Sequence, residues 1–146
     1  MPTINNVFSS DGLLAGAIKG FVPREAQTEM AKAVKRAIDT TGSLIVEAGT
    51  GTGKTFAYLA PALLSDGKAI VSTGTKNLQE QLFHRDLPLV KKALGSKRKT
   101  ALLKGRSNYL CLHRVAQHSG NSTLVEKEVL GQLSEVKRWS STTKTG

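Results

Sequence analysis

The residues with the clearest chemistry are the run Glu47-Ala48-Gly49-Thr50-Gly51-Thr52-Gly53-Lys54-Thr55. Glycines at this spacing let backbone N–H groups turn inward around an anion, and a helix that starts at Lys54 directs its positive end at the same point. Lys54 then neutralises charge on the β and γ phosphates of a nucleotide, and the Thr55 hydroxyl is a ligand for Mg²⁺. A merely flexible loop would not require a Lys-Thr pair at this offset from the glycines. The strict pattern has glycine where this chain has Ala48. The expected ligand is ATP with Mg²⁺, bound by Ala48, Gly49, Thr50, Gly51, Thr52, Gly53, Lys54 and Thr55. Lys54 and Thr55 are the expected catalytic pair.

Further along, Thr73-Gly74-Thr75-Lys76 brings two hydroxyls, backbone amides and an ammonium into one turn. Such a turn suits a phosphodiester chain, which needs no base reading; the plainer role is Thr75 as the N-cap of a surface helix. Cys111 is the single cysteine. Taken alone, a lone cysteine is most often a small buried hydrophobe. His84, His113 and His118 do not have metal-ligand spacing and read as surface residues. Trp139 is expected to pack on its own domain rather than to stack a base.

These residues need elements to position them. Apolar residues at Ala26, Met30, Ala33, Val34, Ala37 and Ile38 predict an amphipathic helix over 25–40, with Thr41-Gly42 as a left-handed stop. Leu44-Ile45-Val46, Ala69-Ile70-Val71 and the segment 101–103 are continuous apolar runs, the pattern of strands covered on both faces. Helices are predicted over 54–65, with a kink or break at Pro61, then from about 76 to 86 with Pro88 closing it, and over 89–94 up to Gly95. Strand, helix, strand, helix, strand implies an α/β fold with a parallel sheet and flanking helices. Residues 109–139 read as helical and polar, and 140–146 as a frayed tail.

Lysine and arginine number 21 against 11 acids, a formal charge of +10, which draws polyanions and makes nucleic acid the leading partner class. One cysteine forms no internal disulfide and fits a reducing compartment, the cytoplasm. No run approaches the length of a membrane-spanning helix, and no membrane partner is expected.

Phe21-Val22-Pro23-Arg24-Glu25-Ala26-Gln27, upstream of the P-loop, resembles the Q-motif of helicases. Ser72-Thr73-Gly74-Thr75-Lys76-Asn77-Leu78-Gln79-Glu80-Gln81-Leu82 resembles helicase motif Ia. Lys104-Gly105-Arg106-Ser107-Asn108-Tyr109-Leu110-Cys111 resembles the segment that delivers the first cluster cysteine in XPD-like helicases. Together with Phe8-Ser9-Ser10-Asp11-Gly12-Leu13-Leu14, these identify the chain as a member of the XPD/DinG-like superfamily 2 iron–sulfur DNA helicases, in the DinG and YoaA branch.

The resemblance implies a partial RecA-like P-loop domain over 1–108 and the beginning of an iron–sulfur domain over 109–146. It implies Gln27 as the adenine reader, Arg24 as a further nucleotide-binding residue, and DNA contact through Thr73, Gly74, Thr75 and Lys76. Cys111 would be one of four ligands of a 4Fe–4S cluster in a longer chain. It also implies ATP-driven 5′ to 3′ unwinding of DNA in repair or replication, with single-stranded or forked DNA and repair or replication proteins as partners. A Walker B acid pair, a second motor domain and three further cysteines do not occur in these 146 residues. The chain is therefore expected to be an N-terminal ATP-binding piece, inactive alone and holding no cluster. The competing reading is a non-catalytic nucleotide- and nucleic-acid-binding module; a kinase or GTPase would want a lid or a guanine-reading segment, and neither is recognisable.

Overall fold

The computed structural model describes residues 2–120 and 127–143. The chain divides into two compact units, Met1–Thr100 and Ala101–Gly146.

The first unit is built from helices. Two short ones, α1 (Ile4–Phe8) and α2 (Leu13–Ala17), precede the long amphipathic α3 (Glu25–Asp39). The P-loop then leads into α4 (Lys54–Leu64). The chain next enters α5 (Lys76–Gln81), which widens into a π-helical turn (Leu82–Asp86) and continues as α6 (Leu87–Leu94). α3 lies against α4, and α6 packs on α2 and α4. Val7, Phe8, Leu14, Ala31, Ala57, Ala60 and Val90 are fully enclosed where these helices meet. Core-facing residues thus come from both ends of the unit, and α4, the element behind the P-loop, lies at their centre.

The parallel sheet expected from the three apolar triplets does not form: no strand occurs among the described residues. Ile45 is 98% exposed, Ile70 96% and Leu103 82%. Apolar, β-branched sequence states which side chains prefer burial, but a strand exists only when a second backbone accepts its N–H and C=O groups. Among the described residues these segments do not pair into strands, so the expectation of an α/β sheet with a partial RecA-like architecture is corrected to a helical unit.

Local departures have local causes. The helix over 25–40 ends one residue early, and the left-handed residue of its stop is Thr41, at φ 50°, rather than Gly42. The Gly42 N–H still closes the stop on Ala37 O at 2.8 Å. α4 runs through Pro61 as one helix, with the ring fully buried. Pro88 does not close a helix; it stands in the first turn of α6, directly after the π turn. Proline lacks the N–H that the preceding turn would have to receive, and the widened turn lies where that ladder bond is lost.

In the second unit, a 3₁₀ turn (Arg106–Asn108) precedes α7 (Leu112–Gly120) and α8 (Lys127–Thr142), which pack against each other. The tail expected from residue 140 is helical through Thr142. The hydroxyls of Ser140, Ser141 and Thr142 donate to carbonyls three residues back at 2.7, 2.7 and 3.0 Å, which ties down the last turn. Residues 144–146 of that expectation lie outside the described residues.

Candidate nucleotide site

The P-loop holds its shape through its own side chains and through α3. Gly51 and Gly53 have φ values of 75° and 80°, the left-handed region that glycine enters without a Cβ penalty. Gly53 is the N-cap of α4, so the loop ends where that helix presents its unpaired N–H groups. Thr52 Oγ1 donates to Gly49 O at 3.0 Å and tightens the turn. Lys54 Nζ donates to Ala48 O and Gly49 O, each at 2.6 Å. The ammonium is thus drawn over the loop, satisfied by carbonyl oxygens in the place where an anion would compete for it.

Two residues from the start of α3 reach the same loop. Arg24 donates through its guanidinium to Gly51 O, and Gln27 Nε2 donates to Gly53 O at 2.9 Å. Gln27 is only 4% exposed. Its amide lies against the Cα of Gly53, where any added Cβ would collide with it. Gly49 and Gly51 carry no such neighbour. The structure therefore gathers Arg24, Gln27, Ala48, Gly49, Gly51, Thr52, Gly53 and Lys54 into one cluster.

A polar group beneath the P-loop helix carried no motif in the sequence. Burial pushes the Tyr58 phenol above its ordinary value of 10.0; a hydrogen bond from Thr55 opposes the shift, and the Asp86 carboxylate adds to it. Asp86, 3% exposed on the π turn, accepts from Arg85 Nε at 2.9 Å and from Gln81 Nε2 at 3.1 Å. Thr55 and Tyr58 are three residues apart on one helix face. An i, i+3 pairing of hydroxyls was the only available sequence signal, and it is weak. Arg98 likewise carried no motif. Its guanidinium donates to Ser65 O and Gly67 O beyond the far end of α4, and its own carbonyl accepts from Lys91 Nζ at 2.6 Å.

The turn before α5 is ordered by its hydroxyls. Thr75 Oγ1 accepts from Leu78 N at 3.2 Å and caps the helix, while Thr73 Oγ1 donates to Thr75 O at 3.3 Å. Gly74 and Lys76 are exposed beside them. In the second unit, Lys104 N donates to Tyr109 Oη at 2.8 Å and Asn108 Nδ2 to Gly105 O at 3.2 Å, folding the segment before Cys111 into a compact turn. Cys111 is an exposed free thiol rather than a buried hydrophobe. A 4Fe–4S cluster takes four ligands, and these 146 residues hold one cysteine. Among the described residues, no group of three or more His, Cys, Asp or Glu is placed to hold a metal ion. His84 pairs with Glu80 at 3.0 Å on the surface. No helix among the described residues is long and apolar enough to cross a membrane.

A glycine loop with a lysine folded over it, at the head of a helix and braced by a buried glutamine, defines a P-loop nucleotide-binding protein. Residues 24–141 match the DEAD/DEAH box helicase family, and the chain belongs to that family. It is 59% identical over 143 residues to the ATP-dependent DNA helicase YoaA of Haemophilus influenzae, covering 98% of this chain and 22% of that protein. It is 53% identical over 139 residues to the YoaA helicase of Escherichia coli, covering 95% and 22% of the two chains. With the ATP-dependent helicase DinG of Mycobacterium tuberculosis it shares 48% identity over 110 residues, 70% of this chain and 17% of that one. The chain thus spans about a fifth of the length of these relatives. No solved structure gives a significant match.

Proposed function

We propose that this chain is the ATP-binding part of an ATP-dependent DNA helicase that binds single-stranded or forked DNA and unwinds duplex DNA in the 5′ to 3′ direction during repair or replication. The observation that carries this reading is Lys54 held over the loop carbonyls at the head of α4, ready to exchange them for phosphate oxygens. The loop amides and Lys54 receive the phosphates, Thr55 would hold Mg²⁺, and Gln27, with Arg24 beside it on the loop, contacts the nucleotide. When bound, Mg²⁺ would supply neutralisation of phosphate charge. The exposed turn Thr73, Gly74, Thr75 and Lys76 meets the DNA backbone. Cys111 serves as one cluster ligand in a longer chain. The cytoplasm is the compartment that suits a free thiol and a DNA substrate.

Alone, the chain binds ATP weakly and turns over negligibly, because transition-state charge meets only Lys54 and Mg²⁺. The test is ATP hydrolysis with and without single-stranded DNA, for this chain and for a chain extended to the length of its relatives, each with its Lys54→Ala variant. DNA-stimulated turnover in the extended chain alone, lost with Lys54, is the expected result. Nucleotide binding with no response to DNA in either chain overturns the motor reading.

A further inference from the structure

Gln27 is enclosed where a residue that reads a base should offer an edge. Its amide nitrogen is committed to Gly53 O at 2.9 Å, and because that partner is a carbonyl, only the NH₂ end of the amide can face it. The same oxygen accepts from Phe56 N at 3.1 Å and Ala57 N at 3.3 Å, so it is the anchor of the first turn of α4. Arg24 makes the matching bond to Gly51 O, one residue before the turn of α3 begins.

A planar trans peptide points its C=O and N–H in opposite directions. Gly51 O shares a peptide with the Thr52 N–H, and Gly53 O shares one with the Lys54 N–H. Drawing both carbonyls toward α3 turns both N–H groups the other way, toward the side from which an anion approaches the helix end. Gly53 must be glycine for two reasons that coincide: its φ of 80°, and the Gln27 amide in the space a Cβ would take.

We infer that Gln27 and Arg24 act as positioning residues for the phosphate loop, orienting the Thr52 and Lys54 amides through the Gly53 and Gly51 carbonyls, so that their loss weakens phosphate binding even when no base is present. This deepens the nucleotide reading above and rests on it. Gln27 keeps its carbonyl oxygen and second N–H for a base, so the two roles are compatible; the loop-setting role is the one that base-free ligands expose.

The test uses Gln27→Glu, which preserves shape but sets a carboxylate oxygen against the Gly53 carbonyl, and Arg24→Ala at an exposed position that the core does not need. Mg²⁺-tripolyphosphate and Mg²⁺-ATP are titrated calorimetrically into each protein, and amide exchange at Thr52 and Lys54 is followed without ligand. Gln27→Glu is expected to weaken both ligands by a similar factor of about ten, the size of one hydrogen bond. Both variants are expected to speed exchange at the two loop amides while helix content stays unchanged. Loss of ATP affinity with tripolyphosphate binding and loop exchange both unaltered would overturn the inference and leave Gln27 a base reader only. A wild-type chain that takes up neither ligand would remove the nucleotide reading and this inference with it.

Discussion

The Gln27 side chain occupies the space beside Gly53 that any other residue's Cβ would need. Gly53 also sits at φ 80°, so alanine there meets both a collision and a left-handed backbone. The backbone alone costs about 1–2 kcal/mol, and displacing a buried amide adds to it. Gly53→Ala is expected to lower the urea midpoint clearly, whereas Gly49→Ala, with open space around it, should shift it far less. Equal shifts would mean that Gln27 does not fill that space in solution.

The Tyr58 phenol has its pKa raised by burial and by the Asp86 charge. A group whose folded pKa exceeds its unfolded value contributes stability that is complete below the unfolded value and disappears as pH rises through the folded one. Stability should therefore fall from about pH 10 upward, the unfolded value, and Tyr58→Phe should flatten that fall. Denaturation curves of both proteins at pH 8 and at pH 11 check this; parallel losses in the two would contradict it.

Asp86 is a buried carboxylate whose two oxygens accept from Arg85 and Gln81. Asp86→Ala removes both bonds at the π turn, and hydrogen bonds to a charged group contribute about 1.5–3 kcal/mol each. We expect a loss in that range, discounted because Arg85 is largely exposed. Thermal melting with unchanged stability would show that the turn holds without its carboxylate.

Phe8 and Leu14, from the two short N-terminal helices, are enclosed against α3, α4 and α6. Truncating a buried phenylalanine to alanine costs about 3–5 kcal/mol. Phe8→Ala is expected to lose most of the cooperative transition in a urea titration. A loss below about 1 kcal/mol would place α1 outside the core, since that is a typical cost for a point mutation of any kind.

The readable part of this protein was what a local pattern can specify. α3 was visible because its apolar residues recur at helical spacing, and the P-loop because glycine, lysine and threonine at fixed offsets have few other uses. Thr75 as a cap was legible for the same reason. The triplets 44–46, 69–71 and 101–103 misled because strand formation depends on a pairing backbone that a local run cannot report. α1 and α2 escaped notice because five-residue helices carry barely one turn of periodicity. The continuous passage through Pro88 was hidden because a π turn is a response of the backbone, with no residue signature of its own. Tyr58, Asp86 and Arg98 find their roles through partners distant in sequence or on other elements.

The central claim is that Lys54 leaves the Ala48 and Gly49 carbonyls to bind a nucleotide's phosphates. Calorimetric titration of Mg²⁺-ATP into this chain and its Lys54→Ala variant tests it most directly. Weak but saturable binding by the unaltered chain, reduced about tenfold or more by the substitution, is predicted from the loss of charge-assisted hydrogen bonds. Equal binding by the two proteins, or none by either, would contradict it.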